Sequence, residues 1–84
     1  MTRVLIADDH PLFRRALTDL IASLPDMEVV GEAATGGVVV EQALVARPDV
    51  VVMDLKMPEV DGIEATRQLT GAIPGVAVLG LTMH

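Results

Sequence analysis

Val50-Val51-Val52-Met53-Asp54 is a run of four apolar residues, three of them β-branched, that stops on a carboxylate. An uninterrupted apolar run has no polar face, which suits a parallel strand covered on both sides better than an antiparallel strand with one wet face. Prolines at positions 48 and 58 punctuate the segment on either side. Working outward, three further runs have strand character: Val4 to Ala7, Met27 to Val30 and Val76 to Leu81. The four begin at intervals of about 23 to 26 residues, the length of one βα unit. Runs one, three and four are continuously apolar, whereas the second lies among Glu28 and Glu32 and is expected at a sheet edge.

The connections should then be helical, because parallel neighbours need a crossover. Pro11 suits a first helical position, and Leu12, Phe13, Ala16, Leu17, Leu20, Ile21 and Leu24 follow at helical spacing, ending before Pro25. The second connection, Thr35 to Ala46, is a weaker helix, since Gly36, Gly37 and the valines at 38–40 have low helix propensity. The third opens with the turn-rich Pro58-Glu59-Val60-Asp61-Gly62 and continues as helix from Ile63 to about Leu69, with Gly71 and Pro74 expected to end it. Right-handed crossovers winding both ways give an α/β doubly wound parallel sheet of order 2-1-3-4. Ligands in such sheets bind at the carboxyl ends of the strands flanking the switch point, here strands one and three.

Composition narrows the function classes. Eighty-four residues make at most one domain, 51% hydrophobic with Phe13 as its single aromatic residue, so small aliphatic side chains must form the core. No cysteine means no disulfide framework and no thiolate metal site. The longest apolar runs fall far below the roughly 20 residues that cross a bilayer, and the start lacks a secretory signal pattern, giving the expectation of a cytoplasmic protein with no membrane contact. A net charge of −6 argues against this segment binding nucleic acid by itself.

Asp8 and Asp9 follow strand one directly, and Asp54 follows strand three, so three acids meet at the expected binding position. Two carboxylates about 4 Å apart repel by roughly 4 kcal/mol at an effective dielectric of about 20, which makes such a cluster costly unless a cation joins it. Oxygen donors alone favour a hard ion such as Mg²⁺. A carboxylate beside Mg²⁺ can itself be a nucleophile in phosphoryl transfer, and Asp54, at the end of the most hydrophobic strand, is the best placed of the three. The hydroxyl of Thr82, closing strand four, could donate to a phosphoryl oxygen, and the backbone carbonyl of Lys56 could reach a metal.

Plainer readings stand beside these. Asp9 or His10, just ahead of Pro11, suits a helix cap, and His10 is otherwise a surface residue. Asp54 taken alone could be a loop acid, Thr82 an ordinary strand residue, and Met53 and Met57 packing residues. His84 is assigned nothing.

The strings Val4-Leu5-Ile6-Ala7-Asp8-Asp9-His10-Pro11-Leu12-Phe13-Arg14, Pro48-Asp49-Val50-Val51-Val52-Met53-Asp54-Leu55-Lys56-Met57-Pro58, Asp61-Gly62 and Leu79-Gly80-Leu81-Thr82 resemble the receiver domain of NarL/FixJ-type response regulators along the whole chain. The resemblance implies a flavodoxin-like fold, a sensor histidine kinase as phosphoryl donor, and Asp54 as phosphoacceptor. It implies direct Mg²⁺ contacts for Asp9 and Asp54, a contact mainly through water for Asp8, and the Lys56 carbonyl as backbone ligand. Thr82 becomes a switch hydroxyl, and Pro58 and Gly62 shape the third connection.

Family members continue past a fourth strand into a fourth helix, a fifth strand ending in a lysine and a last helix, and commonly into a LuxR-type helix-turn-helix domain. Residues 1–84 are therefore expected to be a partial receiver domain, reaching DNA only through an output domain that the chain does not contain. The exposed edge of strand four and a bare sheet face predict a homo-oligomer formed by edge pairing or segment exchange. Two alternatives stand beside a phosphoacceptor that is not itself an enzyme. A metal-dependent phosphatase with an Asp nucleophile, of the dehalogenase-like type, would place its nucleophile and a second acid two residues on after strand one, which does not match adjacent Asp8 and Asp9. An interaction module that is never phosphorylated would follow from the missing lysine.

Overall fold

A computed structural model describes residues 1–57 and 61–81. Strand β1 (Thr2–Ala7) leads into helix α1 (Pro11–Ala22), then β2 (Met27–Ala33), a 3₁₀ turn (Gly36–Val38), α2 (Val39–Ala46), β3 (Val50–Asp54), α3 (Gly62–Ala72) and β4 (Ala77–Leu81). All strand pairs are parallel and the sheet order is β2-β1-β3-β4, as the crossover argument required. None of the described helices is long and apolar enough to cross a membrane.

Strand alternation sorts the apolar runs onto two faces. Leu5, Ala7, Val51 and Met53 pack with Val39, Ala43, Leu69 and Ile73 on the side of α2 and α3, whereas Val4, Ile6 and Val52 meet Ile21 of α1 on the other. Beside β2, the register slips by one residue between Val4 and Leu5, and Gly31 lies opposite Leu5. A β-carbon on Gly31 would come within 2.8 Å of Leu5 Cδ1, so a side chain at this bulge would force the buried Leu5 to shift.

Strand β4 has the open edge and bare face expected of it: Ala77, Leu79 and Gly80 are exposed, and α3 is the described helix that packs on it. Two expectations need correction. Along α1 only Ile21 is buried, with Phe13 and Leu17 half-buried, while Leu12 and Leu20 are exposed, as is Leu24 beyond its end. The apolar stripe spans half the helix circumference, and the sheet covers only the part centred on the i, i+4 series 13, 17, 21. Helix α3 begins at Gly62 and runs through Gly71 to Ala72, past the expected stop. A glycine in the last turn costs only about 1 kcal/mol relative to alanine, too little to end a helix that buried Leu69 anchors.

At the amino ends of the strands, Arg3 closes the second crossover. Its Nη2 donates to the Ala46 carbonyl at 2.6 Å and its Nε to the Arg47 carbonyl at 3.4 Å, satisfying groups that the end of α2 leaves without helical donors. Arg47 itself takes the left-handed conformation, with φ 52°, that ends α2 ahead of Pro48.

Candidate metal and phosphoryl site

The register explains why the acids meet. Val4 pairs with Val50 and Ile6 with Val52, so two residues further along both strands Asp8 comes level with Asp54 on the same side of the sheet. Both side chains are only 2% exposed. Asp9 faces the same mouth at 29% exposure, and one donor atom from each of Asp8, Asp9, His10 and Asp54 lies within 4.8 Å of the others.

Backbone turns orient the two buried carboxylates. The His10 N–H donates to Asp8 Oδ1 at 2.7 Å, and the Lys56 N–H donates to Asp54 Oδ1 at 2.8 Å, each an Asx-type turn two residues long. Asp8 is further fixed through its main chain: its N–H donates to the Ala33 carbonyl at 3.0 Å, and its own carbonyl accepts Arg14 Nη1 at 2.8 Å. Arg14 Nε also reaches Glu32 Oε1 at 3.2 Å, tying α1 to the end of β2 beneath the site. Beyond Asp54, the Leu55 N–H donates to the Leu81 carbonyl at 2.8 Å, which holds the turn against β4.

Asp54 Oδ1 is thus engaged by the turn, while Oδ2 lies 3.7 Å from His10 Nδ1. The buried oxygen Asp9 Oδ1 accepts no hydrogen bond, although His10 Nδ1 stands 3.0 Å away. An unsatisfied buried carboxylate oxygen among two other carboxylates is the donor chemistry that a hard divalent cation satisfies.

The expected acids Asp8, Asp9 and Asp54 are brought together. Gly62 is the first residue of α3, next to the N-cap Asp61, whose Oδ1 accepts from the Ile63 and Glu64 N–H groups at 3.0 and 3.2 Å. A β-carbon on Gly62 would meet Leu55 Cδ2 at 2.8 Å, so a side chain there would require the partly exposed Leu55 to turn aside. Pro58 and Thr82 lie outside the described residues. His10 holds the N-cap position and is 69% exposed, as a surface or capping residue should be, yet its side chain makes no capping hydrogen bond and stands over the acids instead. The sequence reading missed that placement and the supporting part of Arg14. For His10 the signal was its position next to the acid pair; for Arg14 there was none, since its partner Glu32 lies 18 residues away.

The response regulator receiver domain family model matches residues 4–84. Response regulator GacA of Pseudomonas viridiflava is 42% identical over 83 residues, a match that covers 99% of this chain and 39% of that protein. The crystal structure of the response regulator domain of Thermotoga maritima CheB superposes with a TM-score of 0.88 at 40% identity, covering 98% of this chain and 60% of that one. A two-component response regulator of the LuxR family from Aurantimonas sp. gives 0.90 at 39% identity, covering 100% and 60%. The chain spans about two fifths of the length of curated relatives such as GacA. The parallel 2-1-3-4 sheet, the acids at its switch point and these matches together make the chain a member of the response regulator receiver domain family.

Proposed function

We propose that Asp54 is the phosphoacceptor of this receiver domain and that a sensor histidine kinase supplies the phosphoryl group. Asp54 Oδ2 attacks phosphorus, the bond from phosphorus to the donor imidazole nitrogen breaks, and that nitrogen keeps the electron pair and takes up a proton. The observation that carries this reading is the division of labour at Asp54, where Oδ1 is held by the Lys56 N–H and Oδ2 lies on the side of the acid cluster. Mg²⁺ fits the donor set of Asp8, Asp9, Asp54 and the Lys56 carbonyl, and when bound it would offset the charge on the transferred group. Asp8 acts through water in this assignment, Thr82 supplies the switch hydroxyl, and Pro58 and Gly62 shape the connection into α3. The chain accepts phosphate rather than turning over a substrate.

In the longer proteins of the family's LuxR-type branch the same module would govern a DNA-binding output domain in the cytoplasm, with DNA contacted only there. The test is incubation with acetyl phosphate and Mg²⁺, followed by intact mass and borohydride trapping. An adduct of one phosphoryl group mapping to Asp54 and missing from Asp54→Asn is the expected result; labelling that persists in Asp54→Asn would overturn the assignment.

The exposed edge of β4 supports a second proposal, self-association by edge pairing or segment exchange. Its outer side pairs with nothing among the described residues, and Leu79 is exposed on it. Light scattering after size exclusion should give a dimer or larger; a monomer at high concentration would remove it.

A further inference from the structure

The imidazole of His10 is the one nitrogen donor among the four described side chains gathered at the acid cluster. Its Nδ1 lies 3.0 Å from Asp9 Oδ1, 3.3 Å from Asp8 Oδ1 and 3.7 Å from Asp54 Oδ2. Adjacent donors around one divalent ion with bonds of about 2.1 to 2.2 Å stand roughly 3.0 Å apart in an octahedron and about 3.5 Å apart in a tetrahedron. The 3.0 Å separation from Asp9 Oδ1 matches the octahedral spacing, so Nδ1 already stands where a further ligand beside Asp9 on one ion would stand, with Asp8 Oδ1 slightly further away and Asp54 Oδ2, at 3.7 Å, beyond that range. No capping hydrogen bond occupies the ring, and Asp9 Oδ1 beside it is buried without one.

Nitrogen changes which ions such a centre prefers. Mg²⁺ is hard and keeps oxygen ligands, whereas Co²⁺, and to a lesser degree Mn²⁺, gain affinity from an imidazole beside carboxylates. We propose that His10 Nδ1 is a specificity-determining ligand of the acidic centre, coordinating Mn²⁺ or Co²⁺ but not Mg²⁺, and so biasing the site toward the nitrogen-accepting ions. This rests on the reading of the carboxylates as a metal site. Because His10 is largely exposed and makes no capping bond, its ring can move by the few tenths of an ångström that coordination needs without disturbing α1.

The test compares Mg²⁺ and Mn²⁺ binding by the full chain with that of His10→Ala and His10→Asn, alongside electron spin echo spectroscopy of the Mn²⁺ complex for coupling to a directly bound ¹⁴N. Far-UV circular dichroism checks that each variant is folded. His10→Ala should lower Mn²⁺ affinity about tenfold while changing Mg²⁺ affinity by less than about twofold, and should abolish the nitrogen coupling. His10→Asn, which puts an oxygen near the place of Nδ1, should also lose the coupling while binding Mg²⁺ at least as well as the unaltered chain. Parallel changes for both ions, or Mn²⁺ bound to the unaltered chain with no nitrogen coupling, overturn the role of His10 and leave the carboxylate centre standing. No binding of either ion overturns both.

Discussion

The side chain of Leu55 fills the space above Gly80: a β-carbon on Gly80 would lie 2.8, 3.0 and 3.1 Å from Leu55 Cδ1, Cγ and Cδ2. Leu55 follows Asp54 and shares the same crowding with Gly62, so two glycines from different elements frame the residue that sets the turn after the acceptor. Rotation of Leu55 can relieve the methyl contacts, but the close Cγ requires the turn itself to give. Gly80→Ala should therefore cost about 1 to 2 kcal/mol and weaken divalent-ion binding through Asp54. Gly71→Ala, at a helical site with no neighbour within 4 Å of the added carbon, should instead stabilise by about 0.5 to 1 kcal/mol. Urea denaturation of the two variants side by side separates these outcomes, and equal shifts would refute the crowding at Leu55.

Neutralising one buried acid should have opposite effects with and without metal. Asp8→Asn retains an oxygen for the His10 N–H while removing a charge that faces two others, so without Mg²⁺ it should stabilise by about 1 kcal/mol, a fraction of the Coulomb repulsion in such clusters. Mg²⁺ at a hundred times its dissociation constant should stabilise the unaltered chain by about 2.7 kcal/mol, and the variant should gain much less at the same concentration. Thermal melts across a Mg²⁺ series should cross; parallel curves would argue against a metal held by Asp8.

Arg3→Ala removes the donors to the last carbonyls of α2 and should cost about 1 kcal/mol. The arginine sits at the amino ends of the strands, opposite the acids, so ion affinity should not change. Calorimetric titration of the variant with Mg²⁺ checks the second half, and a marked loss of affinity would show that the two ends of the sheet are coupled.

On the surface of α3, Glu64 accepts hydrogen bonds from Arg67 and, more weakly in effect, from Gln68, which hold its carboxyl below the ordinary glutamate range. A carboxyl lowered on folding contributes stability above its unfolded pKa and loses it as pH falls through the folded one. Arg67 is exposed and Glu64 about half-exposed, so solvent screens the pair and the contribution is small. In Arg67→Ala the Glu64 carboxyl should titrate at higher pH by NMR, and an unmoved midpoint would exclude Arg67 as the cause.

The strand order and the meeting of Asp8, Asp9 and Asp54 were legible in the sequence because both follow from local regularities. Continuous apolar runs mark parallel strands, handed crossovers order them, and an acid directly after each central run must stand at the switch point. Side-chain encounters between segments were not legible. That Leu55 lies over Gly62 and Gly80, that Arg3 closes α2, and that His10 turns toward the acids rather than capping α1 depend on register, turn geometry and layer spacing. The same holds for coverage: the apolar residues of α1 and β4 have the spacing of buried faces, but whether each is buried depends on which layer packs against it in three dimensions. Periodicity along the chain specifies elements and their ends, while tertiary packing alone selects which of the side chains they present come into contact.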